Sequence, residues 1–167
     1  IEYRSKKEKL IKKISEEKVN TEFGSMNLIM YSDLLTKNMH LALVKGVIKK
    51  NDEVMVRVHE PLSILDFISR ETSHSWPPLR AIEAINNEEK GVIIFLNYNE
   101  SQNSITSKLS LKNTALKKST DLRNYGIGSQ ILVDIGVTKM KLLAAPRKMP
   151  SMTGYGLQVT EFIENNL

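Results

Sequence analysis

Cysteine is absent from this chain of 167 residues, which excludes disulfide bridges, thiolate nucleophiles and thiolate metal sites together. Aromatic residues are scarce, at 6% with Trp76 the sole tryptophan, so the basic surface interleaved with stacking rings that a nucleic-acid partner needs is missing. No apolar run approaches the roughly 18 residues of a membrane span. Nor is there the basic start, apolar middle and small-residue cleavage site of a signal peptide. The expectation is a soluble, cytoplasmic protein with neither nucleic acid nor membrane as partner.

What is present suffices for a real core. Apolar residues make up 41% of the chain, and its length is that of one ordinary domain. The net charge of +5 favours anionic partners, but seven of the 24 basic residues fall within the first 18 positions, leaving the body near +2. That segment is expected as a helix from Arg4 to Glu17, with Tyr3, Leu10 and Ile14 along one side and charge around the rest. Because the chain begins with Ile1, residues 1–20 are read as a linker helix from a preceding domain and residues 21–167 as the domain proper.

Strands are expected over Met26 to Tyr31, His40 to Ile48 and Glu53 to Val58, with Asn51-Asp52 turning the last two into a hairpin. Ser75-Trp76-Pro77-Pro78 supplies a cap and early prolines for a helix whose apolar stripe is Leu79, Ile82 and Ile85. Gly91 to Leu96 reads as a buried strand. Ser101 to Thr120 reads as a loop with one short helix around Leu116. A helix from Asp121 to Asp134 contains Gly126 and Gly128, each costing about 1 kcal/mol relative to alanine, so close packing or a close-approaching ligand is expected there. Lys139 to Leu143 and Leu157 to Phe162 complete an α/β (α+β) domain with mixed or antiparallel sheets and a few helices.

Asp121 and Arg123, two residues apart at a helix entrance, pair an acid with a guanidinium that can converge on one phosphate-bearing ligand. The plainer alternative is a helix-capping acid and a surface arginine. The run Asp121-Leu122-Arg123-Asn124-Tyr125-Gly126-Ile127-Gly128, continued through Gln130-Ile131-Leu132, Lys139-Met140-Lys141-Leu142-Leu143 and Pro146-Arg147-Lys148, resembles the C-terminal signature of GTP cyclohydrolase II. Thr21-Glu22-Phe23-Gly24, Val56-Arg57-Val58-His59 and Gly154-Tyr155-Gly156-Leu157 extend the resemblance over most of the chain.

The resemblance implies a fold, a homodimer, and fusion behind a dihydroxybutanone-phosphate synthase domain in riboflavin biosynthesis. It implies opening of the GTP imidazole ring by a zinc-supplied water, releasing formate and pyrophosphate and leaving a diamino-pyrimidinone nucleotide. It assigns catalysis to Asp121 and Arg123, and nucleotide contacts to Arg57, His59, Glu100 and Lys148. This sequence departs from the pattern at the sites the chemistry needs. Ser73-His74-Ser75 stands where a Cys-x-Cys zinc pair belongs, and Glu60 to Asp66 where a third cysteine belongs. Serine hydroxyls are weak zinc ligands. His59, His74 and Asp66 are chemically permitted substitutes but lack a tight spacing motif, so no metal or cofactor is expected.

Glu100-Ser101-Gln102 keeps the acid of a Glu-Gly-Arg turn and loses its guanidinium. Ala144 replaces an expected threonine, and no tyrosine lies between Tyr98 and Tyr125. The expected function is a degenerate GTP cyclohydrolase II-like domain serving assembly or regulation of the fused synthase. The alternatives are an active cyclohydrolase or a nucleotide-sensing domain that binds GTP or a related nucleotide.

Overall fold

The computed structural model describes residues 8–60, 65–68, 76–97, 102–110, 122–147 and 152–165. Among the described residues, seven strands form one mixed sheet in the order β1-β2-β3-β5-β4-β6-β7. They are β1 (Ile11–Thr21), β2 (Gly24–Asp33), β3 (Met39–Lys45), β4 (Glu53–His59), β5 (Gly91–Phe95), β6 (Lys139–Leu143) and β7 (Gln158–Ile163). The helices are α1 (Leu65–Ile68), α2 (Pro78–Asn86), α3 (Gln102–Ser110) and α4 (Leu122–Ile135). The first three strands run as an antiparallel meander, and β3 joins β5 antiparallel. From β5 through β4 and β6 to β7 every pairing is parallel.

Alternation along the central strands builds two cores. Val92 and Ile94 of β5 join Ala42, Val44, Val54, Val56, Met140 and the α4 residues Ile127 and Ile131 on one face. Ile93 and Phe95 point the other way, toward Leu43, Trp76 and the α2 residues Ala81 and Ile85. A strand with a helix on either side is buried on both faces, which is why Gly91–Phe95 reads as an unbroken apolar run.

Local chemistry sets the boundaries. Asp33 ends β2, and its Oδ1 accepts the amides of Leu35 and Thr36 to form the turn into β3, with Lys37 in the left-handed region at φ 66°. Helix α2 starts with Pro78 at its first position and Pro77 as its cap, without a side-chain cap hydrogen bond. Its buried stripe is Pro78, Ala81 and Ile85, while Leu79, expected inside, faces solvent. Gly136, at φ 105°, terminates α4 by donating its amide to the Leu132 carbonyl.

Three expectations are corrected. Ile11 to Glu17, expected as helix, lies in β1, because Leu10 and Ile11 enter the main core and the strand pairs with β2 from Ile11–Asp33 to Thr21–Gly24. Tertiary pairing outweighs weak intrinsic helix preference here. The expected β3–β4 hairpin does not form, since β5 lies between the two strands and pairs with both. Gln102–Ser110, expected as loop, is helix α3. The short helix expected around Leu116 lies outside the described residues, as does Ser75.

Candidate functional site

Strand β4 is the topological switch point of the sheet. The chain passes from β4 to β5 on one side of it and from β5 to β6 on the other. Open α/β sheets bind ligands in the crevice outside the carboxyl ends of the strands at such a point. A pocket lies there, lined by Arg57, Val58 and Glu60 from the end of β4 and by Leu142, Leu143 and Ala144 from the end of β6. Asn124, Tyr125 and Gly128 of α4, with Arg147 and Met152, close it.

Arg57 is buried, and its Nη1 donates to the Leu143 carbonyl at 2.9 Å, tying the ends of β4 and β6 together. Burial, with the like charge of Arg147 nearby, lowers its pKa to about 10. Arg147 lies with its guanidinium carbon 6.0 Å from the Tyr125 ring centroid, a cation–π arrangement. His59, fully buried, shares a 2.8 Å hydrogen bond between its Nε2 and Asp66 Oδ2. Two of the three residues weighed as substitute zinc ligands thus come together but engage each other, and His74 lies outside the described residues.

Arg123 goes elsewhere. Its Nη1 and Nη2 donate to Asp33 Oδ2 and Oδ1, both at 2.7 Å, in a bidentate fork. Asp33 is fully buried. Burial alone would raise its pKa, but the Arg123 fork, the Thr36 and Leu35 amides and the Arg123 charge outweigh that and hold it well below the usual carboxylate range. His40 completes the cluster. Its Nδ1 accepts the Asn97 amide at 3.0 Å and its Nε2 lies 3.7 Å from Asp33 Oδ2. Burial lowers its pKa, against the opposing pull of Asp33.

The Arg123 fork belongs to a stripe along α4. Seven residues on, Gln130 Oε1 accepts the Leu10 amide at 2.8 Å while its Nε2 donates to the Glu8 carbonyl at 2.6 Å. Four further on, Asp134 Oδ2 accepts the Tyr31 hydroxyl at 2.7 Å. Spacings of seven and four place all three on one face, which clamps α4 onto β2 and the lead into β1. Gly126 permits the close approach. A Cβ there would lie 2.9 Å from Leu10 Cδ1 and 3.1 Å from the Tyr155 hydroxyl, so packing accounts for this glycine. At Gly128 the nearest atom is Val58 Cγ1 at 3.6 Å, an ordinary contact at the pocket wall.

Of the residues nominated from sequence, Arg57 lines the pocket, His59 adjoins it in β4, and Arg123 is engaged by Asp33. Asp121, Glu100 and Lys148 lie outside the described residues. Asp33, His40, Gln130 and Arg147 were not anticipated as site or clamp residues. An acid at a strand end followed by Leu-Leu-Thr was a legible signal for the Asp33 turn. The zinc that the resemblance implies does not fit these side chains. The chain has no cysteine, and no group of three His, Cys, Asp or Glu able to hold a metal occurs among the described residues.

The sequence matches the family model of GTP cyclohydrolase II over residues 12–164. It is 38% identical over 164 residues to a 3,4-dihydroxy-2-butanone 4-phosphate synthase of Neisseria meningitidis serogroup A, covering 98% of this chain and 45% of that protein. It is 31% identical to the riboflavin biosynthesis protein RibBA of Endomicrobium trichonymphae, covering 96% of this chain and 43% of that protein. Among solved structures it superposes on RibBX, a two-domain 3,4-dihydroxy-2-butanone 4-phosphate synthase from A. baumannii, with a TM-score of 0.70 at 26% identity, covering 98% of this chain and 43% of that one. The chain thus spans about half the length of the relatives it matches.

Proposed function

The chain belongs to the GTP cyclohydrolase II family, and from that premise we propose that it is a degenerate, non-catalytic member, fused behind a dihydroxybutanone-phosphate synthase domain and serving that domain's assembly or regulation. The observation that carries this reading is the joint absence of the thiolates that zinc needs and engagement of Arg123 by Asp33. Ring opening at an imidazole carbon requires a strong nucleophile near neutral pH, which the family obtains from a metal-bound water. Members of a catalytic unit act together, so loss of the metal site alone removes most of the rate. The likeness to 3,4-dihydroxy-2-butanone 4-phosphate synthases and to RibBA supports the fusion. A homodimer follows from the family resemblance and is tested by light scattering in solution.

The decisive experiment is zinc analysis of the purified protein combined with a formate-release assay on GTP. Neither stoichiometric zinc nor formate is expected. Detection of both would sink the reading in favour of an active cyclohydrolase with unusual ligands. A nucleotide-sensing role is a second reading, favoured by the pocket containing Arg57 and Arg147. It requires GTP to raise the apparent melting temperature, because selective binding to the native state stabilises it by mass action.

A further inference from the structure

We propose that the outer edge of β1 pairs antiparallel with the β1 of a second copy of this chain, about a two-fold axis that passes through Ser15. The pairing gives the homodimer proposed above its contact surface, so it rests on that part of the proposed function and is independent of whether ring opening has been lost.

Strand β1 ends the sheet, and among the described residues its outer edge pairs with no other strand. At 11 residues it is the longest of the seven. A long row of unpaired backbone amides and carbonyls is a template for another strand. Proteins that stay apart blunt such an edge with proline or with charge, most often lysine. Here β1 has no proline, and its charges are of both signs, in the order Lys12-Lys13 then Glu16-Glu17.

A bulge makes that order self-complementary. Lys12 pairs with Ser32 and Lys13 with Tyr31, and the register then shifts by one, so that Ser15 meets Met30, Glu16 meets Ile29 and Glu17 meets Leu28. Ile14 is the extra residue. Because side chains alternate along a strand, the shift puts Lys13 and Glu16 on one face and Lys12 and Glu17 on the other. The contact of Lys13 Nζ with Glu16 Oε1 at 2.6 Å reflects that shared face. Without the bulge, no two-fold register could match both lysines with glutamates. With it, a copy centred on Ser15 sets Lys13 opposite Glu16, Lys12 opposite Glu17 and Ile11 opposite Lys18, on both sides of the axis. Opposite charges facing each other across strands attract, and no like charges oppose each other in this register. Ile14, 53% exposed in an otherwise polar stretch, adjoins the axis where the second copy covers it. The other edge strand, β7, carries only Glu161 and has no such complement.

Sedimentation velocity of the purified chain tests the interface, with the wild type expected as a dimer. Lys12→Glu with Lys13→Glu sets acid against acid at every matched pair, and Glu16→Lys with Glu17→Lys sets base against base. All four side chains are exposed, so both variants retain the fold, which circular dichroism verifies. Each variant alone is expected to dimerise at least about tenfold more weakly than the wild type. Mixing the two should restore association, because their edges are again complementary. Exchanging all four charges in one chain should likewise restore it. Wild-type dimerisation in both variants, or no reassociation in the mixture, overturns the interface and leaves the homodimer standing. A wild-type chain that is monomeric at about 0.1 mM overturns both. Zinc content and formate release do not enter, so the non-catalytic reading is judged separately.

Discussion

At the scale of single residues, Asp33 and Arg123 show how a catalytic-looking arginine serves the fold. Removing one partner from a buried pair leaves an uncompensated charge, so Asp33→Asn is expected to lower stability by about 3 kcal/mol in urea denaturation. The same cluster sets the response to acid. Asp33 has a folded pKa below its unfolded one, so its contribution is full above about pH 4 and is lost as pH falls toward the depressed value. His40 is also depressed, but as a base buried in its neutral form. The unfolded chain takes up its proton first, so stability falls from about pH 6.5 downward. Thermal melts across pH should show two declines. Asp33→Asn diminishes the lower one, to which the depressed carboxyls of Asp52 and Glu53 also contribute, and His40→Gln diminishes the upper. Ser129 gives the opposite sign. Its hydroxyl is fully buried without a partner among the described residues, so Ser129→Ala should raise stability by about 0.5–1.5 kcal/mol by the same urea measurement.

At the scale of elements, two glycines separate steric demand from tolerance. A Cβ at Gly91 would lie 2.4 Å from Ile85 Cγ2 and 3.2 Å from the Met55 carbonyl oxygen, where β5 runs beneath α2. Gly91→Ala therefore overpacks a filled core and should cost about 1–3 kcal/mol. Gly128 sits mid-helix with only an ordinary contact, so Gly128→Ala should gain up to about 1 kcal/mol of helix stability while narrowing the pocket. Equilibrium denaturation of the two variants checks both signs. Helix α4 was legible as a helix because Ile127, Ile131 and Leu132 keep the spacing of a buried face. Its polar clamp was not, because Arg123, Gln130 and Asp134 gain meaning only from Asp33, Leu10 and Tyr31, which lie 90 or more positions away.

At the scale of the whole molecule, the sheet couples its two cores through shared strands. Successive residues of β5 belong to opposite cores, so neither face can open without disturbing the other. Trp76 reports on this directly. It is the sole tryptophan, it is buried in the α2 core, and its Nε1 donates to the Ile163 carbonyl at 2.9 Å in β7. Fluorescence and far-ultraviolet circular dichroism transitions in urea are expected to coincide, as two-state unfolding requires. Separated midpoints would mean that the cores unfold independently.

The existence of strands β2 to β7, though not all of their bounds, the buried character of β5, the stop at Gly136 and membership of the family through residues 121–148 were decided by local composition and spacing, which act over a few residues. The absence of cysteine likewise settled the thiolate chemistry without any coordinates. Tertiary structure alone decided that Ile11–Thr21 is strand, that β5 intervenes between β3 and β4, and that Arg123 turns to Asp33 while Arg57 and Arg147 line one pocket at the switch point. Those outcomes depend on free energies of pairing and burial between distant segments, and no local pattern carries that information.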